Sequence, residues 1–108
     1  MNRGQASDAI LDSRQTGPQR LILLGYLRHQ SSSDLPEEGV SWPGKAKLAE
    51  YADISPSLAM EHRSTLIRFG ILEVVDRLDI GTPKCRIHFD RIASPELAAE
   101  MEADRLGR

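Results

Sequence analysis

Apolar residues along this chain recur mostly every three to four positions, and in two short stretches every second position. The first pattern belongs to helices with one buried face, the second to half-buried strands. Leu21, Ile22, Leu24, Tyr26 and Leu27 follow Gly17-Pro18 at helical spacing and predict a helix over residues 17–29, with Pro18 suited to its first turn. Residues 30–39 (QSSSDLPEEG) lose the periodicity and read as a loop, after which Val40-Ser41-Trp42 is β-prone and sufficient for one small strand. A second helix is expected over 44–52, entered by Pro43, with Leu48, Ala49 and Ala52 on one face. A third is expected over 56–69, where Ser55 is a good N-cap, Pro56 a good first residue, and Ala59, His62, Leu66 and Phe69 form one stripe before Gly70 ends it.

The last two helices are separated by three to four residues, the spacing of a helix-turn-helix. Ile71 to Asp76 is β-rich, and Lys84 to Asp90 alternates Cys85, Ile87 and Phe89 with Arg86 and His88, so the two predict a hairpin whose long tip contains Gly81 and Pro83. At the N-terminus only Ala9-Ile10-Leu11, following Ser7 as a cap, break a polar run; residues 1–16 are expected to be an arm or a short helix. Ser94-Pro95-Glu96 opens a final helix within 93–108, with Leu97, Met101 and Leu106 as a weak stripe. Trp42 is expected in an apolar site with a partner for its ring N–H, and Phe69 and Leu72 in the core at the corner after the third helix.

Composition narrows the class. A chain of 108 residues that is 40% hydrophobic can build one core but has little room for a second domain or a deep enzyme cleft. The single Cys85 excludes a disulfide framework within the chain and suits a reducing cytoplasm; it alternates inward with Ile87 and reads as a buried, inert thiol. No apolar run approaches the roughly 18 residues of a membrane span. His29, His62 and His88 are too scattered for a metal site, no glycine-rich phosphate loop is present, and Ser, His and Asp lie at no catalytic spacing, so neither a cofactor nor an enzyme is expected. His62, on the core stripe, reads as a hydrogen-bonded structural histidine.

The residues Ser41-Trp42-Pro43-Gly44-Lys45-Ala46-Lys47-Leu48-Ala49-Glu50, then Ile54-Ser55, then Leu66-Ile67-Arg68-Phe69-Gly70-Ile71-Leu72-Glu73, resemble the winged helix-turn-helix domains of phage and plasmid replication-initiation proteins and small bacterial regulators. The shared features are a Trp-Pro entry to the second helix, a Leu-Ala pair inside it, a Ser cap on the third, and a glycine exit into the wing. The resemblance covers about residues 20 to 90. It implies a mainly α fold with a small β-hairpin wing (α+β), a winged helix-turn-helix domain over 17–92, and sequence-specific binding of double-stranded DNA in transcription or replication control. Carried onto this chain, Ser57, Met60, Glu61 and Ser64 would face the major groove. Lys45, Lys47, Arg63 and Arg68 would meet phosphates, Ser55 would belong to the DNA-binding set as the cap of the third helix, and Arg77, Lys84 and Arg86 would form a basic wing. The third helix departs from the usual pattern, since bases are sparse and Glu61 needs a cytosine amino group or an arginine beside it.

Charge sharpens that tension. The net charge is −2, yet residues 40–91 hold eight Lys and Arg against seven Asp and Glu, and the deficit lies in the two flanks. Lys45 and Lys47 read either as a phosphate clamp at a helix start or as a solvated face, and the hairpin bases either as a wing or as an ordinary outer strand face. One module offers a small contact area, so a homodimer through Ile10, Leu11, Leu97 and Met101 is expected. The alternative is a winged module for protein contacts, an adaptor or an antagonist of a host complex, suggested by Pro56, Met60 and Glu61 in the third helix and the acidic flanks.

Overall fold

Asn2, not Ser7, starts the first helix. Its side chain accepts from the Gln5 N–H at 2.8 Å while the Gln5 side chain accepts from the Asn2 N–H, a reciprocal cap that launches α1 (Arg3–Leu11) five residues upstream of the predicted point. The computed structural model describes residues 1–107. Thr16 and Gln19 repeat the same device at α2 (Gly17–Arg28), which buries Ile22, Leu23, Tyr26 and Leu27 and leaves Leu21 outward. Helix α3 (Lys45–Ala52) crosses α2 at Gly25, where a Cβ would lie 2.8 Å from the Tyr51 ring, so only glycine allows this approach.

The link between α2 and α3 is tied down by Gln30, whose buried Nε2 donates to the carbonyls of Pro36 at 3.0 Å and Gly39 at 3.4 Å. Strand β1 (Val40–Ser41) follows, and the buried Ser41 hydroxyl donates to the Tyr26 carbonyl at 2.7 Å. Helix α4 (Pro56–Arg68) comes three residues after α3, with Asp53 in the left-handed region (φ 53°) making the turn. Gly70, at φ 76°, ends α4 and lets the Ile71 N–H reach back to the Leu66 carbonyl at 3.0 Å.

The chain then enters β2 (Leu72–Arg77) and returns as β3 (Pro83–Ile87), with an irregularity between Val74 and Asp76. The sheet is antiparallel with order β1-β3-β2, so β3 is its centre and the two-residue β1 closes one side, Val40 opposite Arg86 and Ser41 opposite Cys85. The predicted strand through Asp90 stops early: the His88 N–H donates to the Ile71 carbonyl at 2.8 Å, and Phe89 begins a one-turn helix, α5 (Phe89–Ile92). Ser94 caps α6 (Pro95–Leu106) through the Leu97 N–H at 3.1 Å. Among the described residues the fold is therefore α+β, six helices with a small three-stranded sheet.

One buried cluster runs from Ala6 and Ile10 through Tyr26, Leu48, Leu66, Ile71 and Ile87 to Ile92 and Leu97. Each fully buried side chain of this size contributes about 1.5–3 kcal/mol, so both terminal helices are held by the same core as the centre of the chain. This corrects the expectation for the termini: Ile10 and Leu97 are 0% and 2% exposed and belong to no surface, while Leu11 and Leu106 are exposed and Met101 is half-buried. Trp42 is corrected as well. It is 47% exposed, just past the end of β1, and its ring is covered by the Lys84 ammonium at 4.7 Å instead of an apolar site. Leu72 is buried as expected, but Phe69 is only half-buried, with the Arg68 guanidinium 4.9 Å over its ring.

Candidate nucleic-acid interface

The sequence places two lysines at the start of α3, and the fold leaves them in solvent. Gly44 supplies no side-chain cap, so the first-turn N–H groups of α3 keep their positive end beside the exposed Lys45 and Lys47. Lys47 pairs with Glu50 only loosely, at 3.5 Å on the surface. The Ser55 hydroxyl accepts from the Leu58 N–H at 3.2 Å, so its oxygen is committed to capping α4.

On α4 the helical period separates the predicted contact residues. Ser57, Glu61, Ser64 and Arg68 are exposed on one face and, with the half-buried Met60, border a shallow depression. Arg63 does not join them. It is half-buried and lies on the inner side, near enough to the Tyr26 hydroxyl and the Cys85 thiol to act on the titration of both. The Tyr26 hydroxyl is buried without a hydrogen bond of good geometry, and burial pushes it far above its ordinary pKa. The same burial raises the Cys85 thiol, as its inward position in β3 requires. Arg63 thus lies toward the inner side of the helix, apart from the exposed face that carries Ser57, Glu61, Ser64 and Arg68.

Arg68 is exposed but engaged: its Nη2 is 2.6 Å from Oδ2 of Asp104 on α6. On the sheet, Arg86 and His88 converge on one oxygen, Oε1 of Glu73, at 3.2 and 2.9 Å. That carboxyl is held below its usual value, first by the His88 hydrogen bond and then by the neighbouring charges of His88 and Arg86. Arg86 also donates to the Glu38 carbonyl at 3.4 Å. Arg77 turns toward the hairpin tip and donates to the Gly81 carbonyl at 3.1 Å, while Lys84 lies over Trp42.

The predicted set therefore divides. Lys45, Lys47, Ser57, Glu61, Ser64 and Arg68 stand on the accessible surfaces of two consecutive helices, with Met60 at their edge and Lys84 and Arg77 on the hairpin. Arg63 is turned inward and Arg86 is bound to Glu73. Asp104 and Trp42 are the neighbours that sequence reasoning missed; the first acts on Arg68 across 36 residues, the second lies under the Lys84 ammonium. Among the described residues no helix is long and apolar enough to cross a membrane, and no three His, Cys, Asp or Glu side chains gather where a metal could sit. No protein family, curated protein or solved structure matches the chain.

Proposed function

We propose that the chain is a small winged helix-turn-helix protein that binds double-stranded DNA and regulates transcription or replication. The observation that carries this reading is a topological one: α2, β1, α3, a three-residue turn, α4 and a β2–β3 hairpin follow in order, with β1 hydrogen-bonded to β3. In that arrangement α4 is the element offered to a major groove, and the exposed Ser57, Glu61, Ser64 and Arg68 are its reading face. Lys45 and Lys47 stand at the positive end of α3 for phosphate contact, and Lys84 and Arg77 carry charge to the hairpin. A salt titration on duplex DNA tests it: affinity falls steeply with salt, and Lys45→Glu with Lys47→Glu weakens binding by about tenfold or more. No binding to genomic fragments at low salt rejects the reading.

One observation favours a protein-contact module instead. Arg68 and Arg86 are neutralised by Asp104 and Glu73, and Trp42 and Ile80 expose apolar surface on the same sheet-and-hairpin region at 47% and 85%. Under that reading Lys45→Glu and Lys47→Glu leave activity unchanged, and the chain captures an identifiable partner in place of DNA.

A further inference from the structure

A cavity of about 470 Å³ lies beside α4, between the turn at residues 14–16 with the start of α2 on one side and α6 on the other. This volume is in the range of sites for small organic ligands. Leu58, Ala98, Ala99 and Met101 give it apolar walls.

Two polar groups stand ready inside it. Gln15 is only 6% exposed, its carboxamide makes no hydrogen bond to a described residue, and the cavity is the space it borders. Its oxygen and nitrogen reach the solvent that fills the cavity, where they can meet a ligand as one acceptor and one donor group. The second is His62, whose tautomer is set at one remove by a helix cap. Gln19 Oε1 accepts the Thr16 N–H at 3.4 Å, which directs Nε2 to His62 Nδ1 at 3.3 Å. An amide nitrogen only donates, so Nδ1 accepts and the ring proton resides on Nε2, a donor with no partner among the described residues.

We infer that this cavity binds a neutral heteroaromatic ring of the nucleobase kind, with a donor and an acceptor side by side on one edge. The Gln15 carboxamide presents the complementary donor and acceptor, His62 supplies one further N–H, and the ring lies against Ala98 and the Met101 thioether. The rim does not select an anion, because Arg14 and Arg105 stand there with three carboxylates, Glu61, Glu102 and Asp104. The site is independent of the DNA reading and is tested without DNA.

The test is a titration of the ¹⁵N-labelled chain with adenine, cytosine and uracil, with benzoate as the anionic control and toluene as the shape-only control. The expected result is saturable shifts at the Gln15 side-chain amide and at Ala98 and Met101 with at least one base. Gln15→Leu then weakens that base by about tenfold while the remaining spectrum is unchanged, and His62→Phe does the same. The inference is overturned if no base saturates these signals up to its solubility, if benzoate or toluene binds as tightly, or if Gln15→Leu keeps the wild-type affinity. Should His62→Phe not fold, the Gln15 variant decides alone.

Discussion

The Asp104 carboxylate on the last helix lies 2.6 Å from the Arg68 guanidinium at the end of α4. Both side chains are well exposed, at 35% and 50%, so the pair contributes at most about 1 kcal/mol to stability. Its larger effect is on the field of α4, because it pairs the one base exposed on that helix's outer face. Asp104→Asn is therefore expected to raise duplex affinity several-fold and to steepen the salt dependence by about one phosphate contact, with little change in melting temperature. Anisotropy titrations at several salt concentrations measure this, and an unchanged slope would show that Arg68 meets no phosphate.

Arg63 is expected to behave in the opposite sense. It lies on the inner side of α4 beside Tyr26 and Cys85, so Arg63→Ala removes a group from a partly buried polar cluster. The expected loss is about 1–3 kcal/mol in urea unfolding, with duplex affinity per folded molecule nearly unchanged. A large affinity loss at full stability would return Arg63 to the contact surface.

The contact between α2 and α3 gives a sharper stability test. A methyl at position 25 would meet the Tyr51 ring at 2.8 Å and Leu48 at 3.5 Å. Gly25→Ala must push the helices apart and is expected to cost about 1–3 kcal/mol despite alanine's better helix propensity. If the combined Gly25→Ala, Tyr51→Ala protein recovers part of that loss, the clash is its cause.

Acid sensitivity follows from His62. Burial holds its pKa below the ordinary 6.5, with the Glu61 charge pulling the other way. The unfolded chain therefore takes up the proton first. Stability is complete above pH 6.5, falls as the pH drops from there toward the folded value, and levels off for this group beneath it. Melting temperatures between pH 7.5 and 5.5 should fall, and His62→Gln should flatten that limb. Glu73, whose folded pKa is lowered from 4.5, adds its own loss of stability only in a more acidic window, so the two are separable.

The caps and the glycine exit were the legible part of this fold. Ser55-Pro56, Ser94-Pro95 and Gly70 act within three or four residues, and the structure uses them as their chemistry suggests. Alternation also placed Cys85 and Ile87 inward correctly, yet it ran on through Phe89, where packing against the core favours a helical turn. Asn2 was overlooked because its cap depends on Gln5, a residue with no apolar signal of its own. The candidate contact set was legible only as a list of residue types. Which bases remain available depends on Asp104, Glu73 and Trp42, all brought in by long-range packing, and the cavity beside α4 depends on the path of a helix that the weak stripe of residues 97–106 does not define.

The buried Gln30 side chain has a consequence for how this chain tolerates change. By holding the Pro36 and Gly39 carbonyls it closes the 30–39 link at its base, and β1 is then anchored independently to Tyr26 and β3. The exposed Ser31-Ser32-Ser33 tip carries no part of that closure. Extra residues inserted there would lengthen a loop whose ends are already fixed, at a cost that grows only slowly with length. That tip is the place where a tag, a probe or a whole added segment can be accepted without disturbing the helix pair or the sheet.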